Sequence, residues 1–172
     1  MMNRPSRLRA VSLGLALCAA LSVAACSNDK DLADASGFGG AGGRGGAGAP
    51  GSAQDFVVNV GDRVFFESDS TDLTPTATAT LDKQAAWLQR YPRYTFIIEG
   101  HADERGTREY NFSLGARRAQ AVNDYLASRG IAAGRIRTVS YGKERPVAVC
   151  NDISCWSQNR RAVTVLDRGA GS

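Results

Sequence analysis

Between residues 99 and 118 the chain concentrates the side chains that do chemistry: Glu99, His101, Asp103, Glu104, Arg105, Arg108, Asn111 and Arg118. Catalysis and recognition are both open to such a set. Cleavage of a glycan takes two carboxylates held several ångströms apart about the bond, one with a raised pKa. Asp103 and Glu104 are instead neighbours beside Arg105 and Arg108, and nearby guanidinium groups favour the ionised form. Neither Ser68 nor Ser113 has a nucleophile signature, and residues 100–106 are not a phosphate-binding glycine loop. No enzyme is predicted. Recognition turns on Arg118, which takes one place in an apolar helical stripe with Leu114, Val122 and Leu126, at spacings of four and eight. A fixed positive charge there either snorkels out of the core, pairs with an internal carboxylate, or binds an anion beside the Asp103 loop.

The elements that must position these residues follow from periodicity. Tyr94 to Ile98 is aromatic and β-branched, as in a buried strand, and Gly100 breaks the run. A polar loop follows, then a helix over about residues 107–128, closed by Gly130. Upstream, Phe56-Val57-Val58 reads as an edge segment and Arg63-Val64-Phe65-Phe66 as a short strand with an acidic exit through Ser68, Asp69 and Asp72. Thr74-Pro75 opens a helix carrying Leu81, Ala85 and Leu88, and Tyr91-Pro92 stops it. Residues 136–141 alternate as a strand with one wet face, a long loop carries two cysteines, and residues 161–166 form a closing strand. The order β-α-β-α-β-β predicts an α/β two-layer sandwich, with two helices on one face of a mixed sheet. Both acidic or polar loops then reach the same sheet edge.

The first residues describe export. Arg4, Arg7 and Arg9 precede an apolar run over residues 10–25, too short for an ordinary membrane span and fit for a signal peptide, residues 1–25. Leu21-Ser22-Val23-Ala24-Ala25-Cys26 resembles the lipobox of bacterial lipoproteins, which makes Cys26 the acylated N-terminus; an ordinary cleaved signal is the alternative. Ser27, rather than Asp, favours the outer membrane by resemblance to sorted lipoproteins. Of 21 basic residues three precede Cys26 and none of the 17 acidic ones does, so the mature chain carries 18 minus 17, or +1. Nucleic-acid binding loses its support at that charge. Residues 26–54 read as a flexible tether, because residues 37–51 hold nine of nineteen glycines, and such a coil spans about 30 Å. The folded domain is expected over residues 55–168 and a disordered tail over 169–172. In an oxidising compartment Cys150 and Cys155 are expected to pair. Zinc needs two more ligands, which the single His101 cannot supply, so neither metal nor cofactor is expected.

The run Glu99-Gly100-His101-Ala102-Asp103-Glu104-Arg105-Gly106-Thr107 is followed by Tyr110-Asn111, Ser113-Leu114-Gly115 and Arg117-Arg118-Ala119. With Val139-Ser140-Tyr141-Gly142-Lys143-Glu144, Pro146 and Asn159-Arg160-Arg161-Ala162-Val163, it resembles the OmpA-like peptidoglycan-binding family over about residues 60–167. More narrowly it is similar to the lipoprotein branch of that family belonging to the Tol-Pal system. The resemblance implies the same sandwich fold and a tether between outer membrane and cell wall. It also implies that Asp103 and Arg118 hold diaminopimelate of an uncrosslinked stem peptide, whose end presents an ammonium and a carboxylate on one carbon. Leu114, Arg105, Asp69 and Ser68 then line the pocket and Asn111 braces the loop. Ser68 stands where many relatives carry an aromatic residue. His101, Glu104 and Arg117 are expected to hold the loop or face solvent. A TolB-like periplasmic propeller protein is the implied protein partner, in competition with the wall. A pure interaction module of the envelope and a cell-wall hydrolase are the alternatives.

Overall fold

The computed structural model describes residues 48–167. Alternation along the strand β2 (Thr95–His101) sends Phe96 and Ile98 to one side, where both are fully buried, and leaves Ile97 and Glu99 half-buried on the other. The helices α2 (Pro75–Arg90) and α3 (Arg108–Ser128) cover the buried side. Leu81 and Leu88 of α2, Val122 and Leu126 of α3 and the two β2 residues join a single apolar cluster. Thr74 and Thr107 cap the two helices, accepting from the Ala77 and Tyr110 amides at 3.1 and 3.2 Å. The sheet runs β1-β4-β2-β3, with β1 (Arg63–Phe65), β3 (Ile136–Gly142) and β4 (Arg161–Asp167). β4 pairs antiparallel with both β1 and β2, and β3 pairs parallel with β2. The expected sandwich with a mixed sheet is therefore the fold observed.

Two segments differ from expectation. Phe56-Val57-Val58 is not an edge strand. It belongs to a helical turn, α1 (Ala53–Asp55), continued by a wider turn over Phe56–Val60 that ends when the Gly61 amide donates to the Phe56 carbonyl at 3.0 Å. Local capping decides this. Ser52 Oγ accepts from the Asp55 amide at 3.1 Å, the Asp55 carboxylate accepts from Trp87 Nε1 at 2.8 Å, and Phe56 is buried with its ring 4.9 Å from Trp87. Val57 and Val58 stay exposed, so the apolar run had only one side chain to bury. The loop with the cysteines contains a further helix, α4 (Ile153–Asn159), capped by Asp152, which accepts from the Ser154 amide at 2.7 Å. Two turns are too few for a helical period to show in sequence. Cys150 and Cys155 are disulfide-bonded, with Cα atoms 5.7 Å apart, tying α4 to the segment before it.

The contact that positions the site is the approach of α3 to β2. A Cβ built on Gly100 would lie 1.8 Å from the Gly115 carbonyl oxygen, and one on Gly115 would lie 2.5 Å from Ser140 Oγ. Backbone meets backbone here, which only paired glycines allow, and the next turn of α3 brings Arg118 against the end of β2. Gly100→Ala is expected to lower the unfolding free energy by about 3 kcal/mol or more, the upper part of the overpacking range. Gly134→Ala, where no atom lies within 4 Å of an added Cβ, should change it by no more than about 0.5 kcal/mol. Urea unfolding of the two variants checks both values.

Candidate functional site

Strand β2 breaks register between Gly100 and His101, and the Ala102 amide donates to the Gly142 carbonyl at 2.8 Å. The chain then leaves the sheet through residues 102–107. Its backbone is fixed from several sides. Asn111 Nδ2 donates to the Arg105 carbonyl at 2.6 Å, and Lys143 Nζ donates to the carbonyls of Gly106 at 2.7 Å and Glu104 at 3.2 Å. Gly106 takes a φ of 83°, a conformation that favours glycine.

Arg118 is the largest fully buried side chain among the described residues. Its Nε donates to the Ser70 carbonyl at 2.9 Å, one terminal nitrogen to the His101 carbonyl at 2.8 Å and the other to the Glu67 carbonyl at 3.1 Å. One guanidinium thus joins the exit of β1 to the end of β2. Burial, then the charge of Arg160, pushes its pKa down to about 10, while Asp103 and Asp69 oppose the shift. It remains a cation at neutral pH.

Asp103 is 7% exposed. Its carboxylate accepts from Arg105 at 2.7 and 3.2 Å through the guanidinium and at 3.2 Å through the amide, and from Arg160 at 3.4 Å. Burial alone would raise its pKa; the hydrogen bonds and charge of Arg105, with the bond from Arg160, outweigh burial and hold the carboxyl below its usual range. That is the opposite of the raised pKa a general acid for glycan cleavage requires.

A pocket of about 200 Å³ opens above this pair, lined by Ser68, Asp69, Asp103, Arg105, Gly106, Tyr110, Asn111 and Leu114. Ser68, Asp69, Asp103, Arg105, Asn111 and Leu114, all singled out from sequence, meet there. Arg118 does not line it; it sits one helical turn beyond Leu114 and is fully buried. Cys26 lies outside the described residues. Glu104 holds the loop, accepting from Trp156 Nε1 at 2.5 Å, and Arg117 donates to Ser113 Oγ at 2.7 Å on the surface. Sequence reading missed Tyr110, whose hydroxyl bonds the Asp69 carboxylate, and Arg160, which is 5% exposed and also donates to the Phe66 carbonyl at 3.0 Å. Arg160 carries no pattern signal, because it stands between a helix and a strand and belongs to the periodicity of neither. Among the described residues no group of three His, Cys, Asp or Glu side chains could hold a metal ion, and no helix is long and apolar enough to cross a membrane.

The family model described as the OmpA family matches residues 65–160. A peptidoglycan-associated lipoprotein of Rhizobium meliloti is 64% identical over 92% of this chain and 88% of its own length. One from Brucella melitensis is 58% identical over 99% of each. The crystal structure of the peptidoglycan-associated lipoprotein from Burkholderia pseudomallei superposes with a TM-score of 0.60 at 40% identity, covering 62% of this chain and 90% of that one.

His101 adds a pH dependence beside the site. It is 1% exposed, and neither ring nitrogen has a hydrogen-bond partner, although Nε2 lies 3.6 Å from the Glu99 carboxylate. Burial, then the charges of Arg161 and Arg145, lowers its pKa from 6.5 to about 4. Below pH 6.5 the unfolded chain takes up a proton that the folded chain refuses until about pH 4. The contribution is therefore complete above pH 6.5 and lost as pH falls through that window, up to about 3 kcal/mol at 1.36 kcal/mol per unit. The difference between wild type and His101→Leu in urea unfolding from pH 7.5 to 4 should reproduce this limb.

Proposed function

Starting from the fact that the chain belongs to the OmpA family and, within it, to the peptidoglycan-associated lipoproteins, we propose that it tethers the outer membrane to the cell wall, holding diaminopimelate of an uncrosslinked stem peptide as part of the Tol-Pal system. The observation that carries this reading is an ionised, nearly buried Asp103 in a small pocket, with the buried Arg118 cation close enough to interact with its charge. Each acid at the pocket already has a partner: Asp103 has Arg105 and Arg160, and Asp69 has Tyr110. An incoming ammonium must displace Arg105 from Asp103, which leaves that guanidinium in need of an anion. A ligand bearing its own carboxylate on the same carbon supplies one. A plain lysine side chain does not.

In this reading Asp103 takes the ammonium and Arg118 faces the carboxylate. Three of the five N–H groups of Arg118 are engaged by the carbonyls of Ser70, His101 and Glu67. Arg118 is fully buried, so a carboxylate reaches its other two N–H groups only by entering past Leu114, where charge-assisted bonds form. Ser68, Asp69 and Arg105 complete the wall, and Asn111 braces the loop. The described start of the chain supports the tether. Its Gly51 carbonyl accepts from Arg93 at 2.7 Å and from the Tyr94 hydroxyl at 2.8 Å, at the first end of β2. The pocket lies at the other end, seven residues or roughly 20 Å away. Tether and wall thus attach at opposite poles, with Cys26 as the lipid anchor and the domain facing the periplasm. A TolB-like propeller protein is the proposed competitor for the same pole.

Titration with a diaminopimelate stem peptide and its lysine counterpart tests the reading. Wild type should prefer the first. Asp103→Asn should weaken binding at least about thirtyfold, since breaking a desolvated charge pair costs about 2 to 5 kcal/mol. Arg118→Lys should also lose affinity because the fork geometry goes while the charge stays. Equal binding of both peptides by wild type would refute the site. The anchor is checked separately: mass spectrometry of protein extracted from membranes should show acyl groups on Cys26.

A further inference from the structure

Arg105 does more than bond Asp103. Its guanidinium carbon lies over the Trp156 ring, 4.3 Å from the ring centre, and a further bond reaches Ser68 Oγ at 2.8 Å. Trp156 is itself held. Its Nε1 donates to Glu104 at 2.5 Å, Asn159 Nδ2 reaches the other Glu104 oxygen at 3.5 Å, and the disulfide at Cys155 secures the preceding residue. Asn159 is fully buried and its side-chain oxygen accepts from the amides of Val147 and Ala148 at 2.9 and 3.2 Å, so α4 is fastened at both ends. The Arg105 side chain is 43% exposed although the backbone on either side of it is pinned.

The filled site described above requires Arg105 to leave Asp103. A contact of this kind suits that exchange, because a cation held over an aromatic face keeps its N–H groups available for new partners. We propose that Trp156 is a positioning residue on which Arg105 moves from the Asp103 carboxylate in the empty site to the carboxylate of the ligand in the filled one. Trp156 touches no ligand in this scheme and acts through Arg105 alone. The inference rests on the proposed zwitterion site and adds to it the device that makes the internal cation exchangeable.

A double-mutant cycle on the full chain in detergent tests it, with the diaminopimelate and lysine stem peptides as probes and thermal unfolding as the control for folding. Trp156→Ala should weaken the diaminopimelate peptide by about threefold to tenfold, as for the cost of immobilising on binding a side chain that the indole no longer holds, and narrow the preference over the lysine peptide. Trp156→Phe, which keeps an aromatic face, should restore most of the affinity. In an Arg105→Ala background Trp156→Ala should cost nothing further. An equal loss with or without Arg105, or an equal loss for the two peptides, would show a general effect on the fold and overturn the proposal. Normal wild-type preference with unchanged affinity in Trp156→Ala overturns this inference alone, whereas absence of any wild-type preference overturns the zwitterion site and this inference with it.

Discussion

The structure around the site depends on burying one guanidinium. Moving a cation out of water carries an effective cost of several kcal/mol. Arg118 recovers a similar amount from three charged hydrogen bonds at about 1.5 to 3 kcal/mol each. Its acceptors are main-chain carbonyls of Glu67, Ser70 and His101, which no side-chain substitution removes. They also belong to two segments, the exit of β1 and the end of β2, that are separated in the sheet by β4. The same two segments are joined again by Arg160, which bonds the Phe66 carbonyl and Asp103, and by the bond from Arg105 to Ser68. The Arg118 guanidinium carbon also lies over the Phe66 ring, 5.2 Å from its centre.

The cations bonded to Asp103 determine what that carboxylate can do. Asp103, with Arg105 and Arg160 bonded to it and Arg118 close by, is stabilised as an anion despite being nearly buried. A group so held binds cations and does not give up protons at neutral pH. The charges at the pocket are fixed before any ligand arrives, which favours the proposed binding of a small zwitterion that offers little apolar area.

Much of this was legible in the chain. Arg118 falls on the same helical face as Leu114, Val122 and Leu126, and a charge in a stripe at regular spacing can be seen without a structure. The β2 strand and the two long helices were readable for the same reason, each having enough residues for its period to repeat, and the helices a capping threonine to mark their starts. Phe56–Val60 misleads because two β-branched residues suggest a strand, while the deciding contacts are Asp55 to Trp87 and Phe56 to Trp87, some thirty residues apart. Pattern could not separate the alternatives for Arg118 either. Its partners are backbone carbonyls, and these leave no trace in residue identity.

The harder part to read is α4, and it matters most for how the loop behaves. A seven-residue helix stabilised by one aspartate cap, one disulfide and one buried asparagine has no amphipathic signature, yet it supplies Trp156 to Arg105 and Glu104 across more than fifty residues of chain. The 102–107 loop is therefore stiff in its backbone, held at Ala102, Glu104, Arg105 and Gly106, and adjustable in one side chain. In the proposed exchange, such a division leaves Arg105 as the side chain that turns. The backbone groups that fix Asp103 and Arg118 need not move, so the entropy of ordering the loop is spent in folding, before a ligand is met.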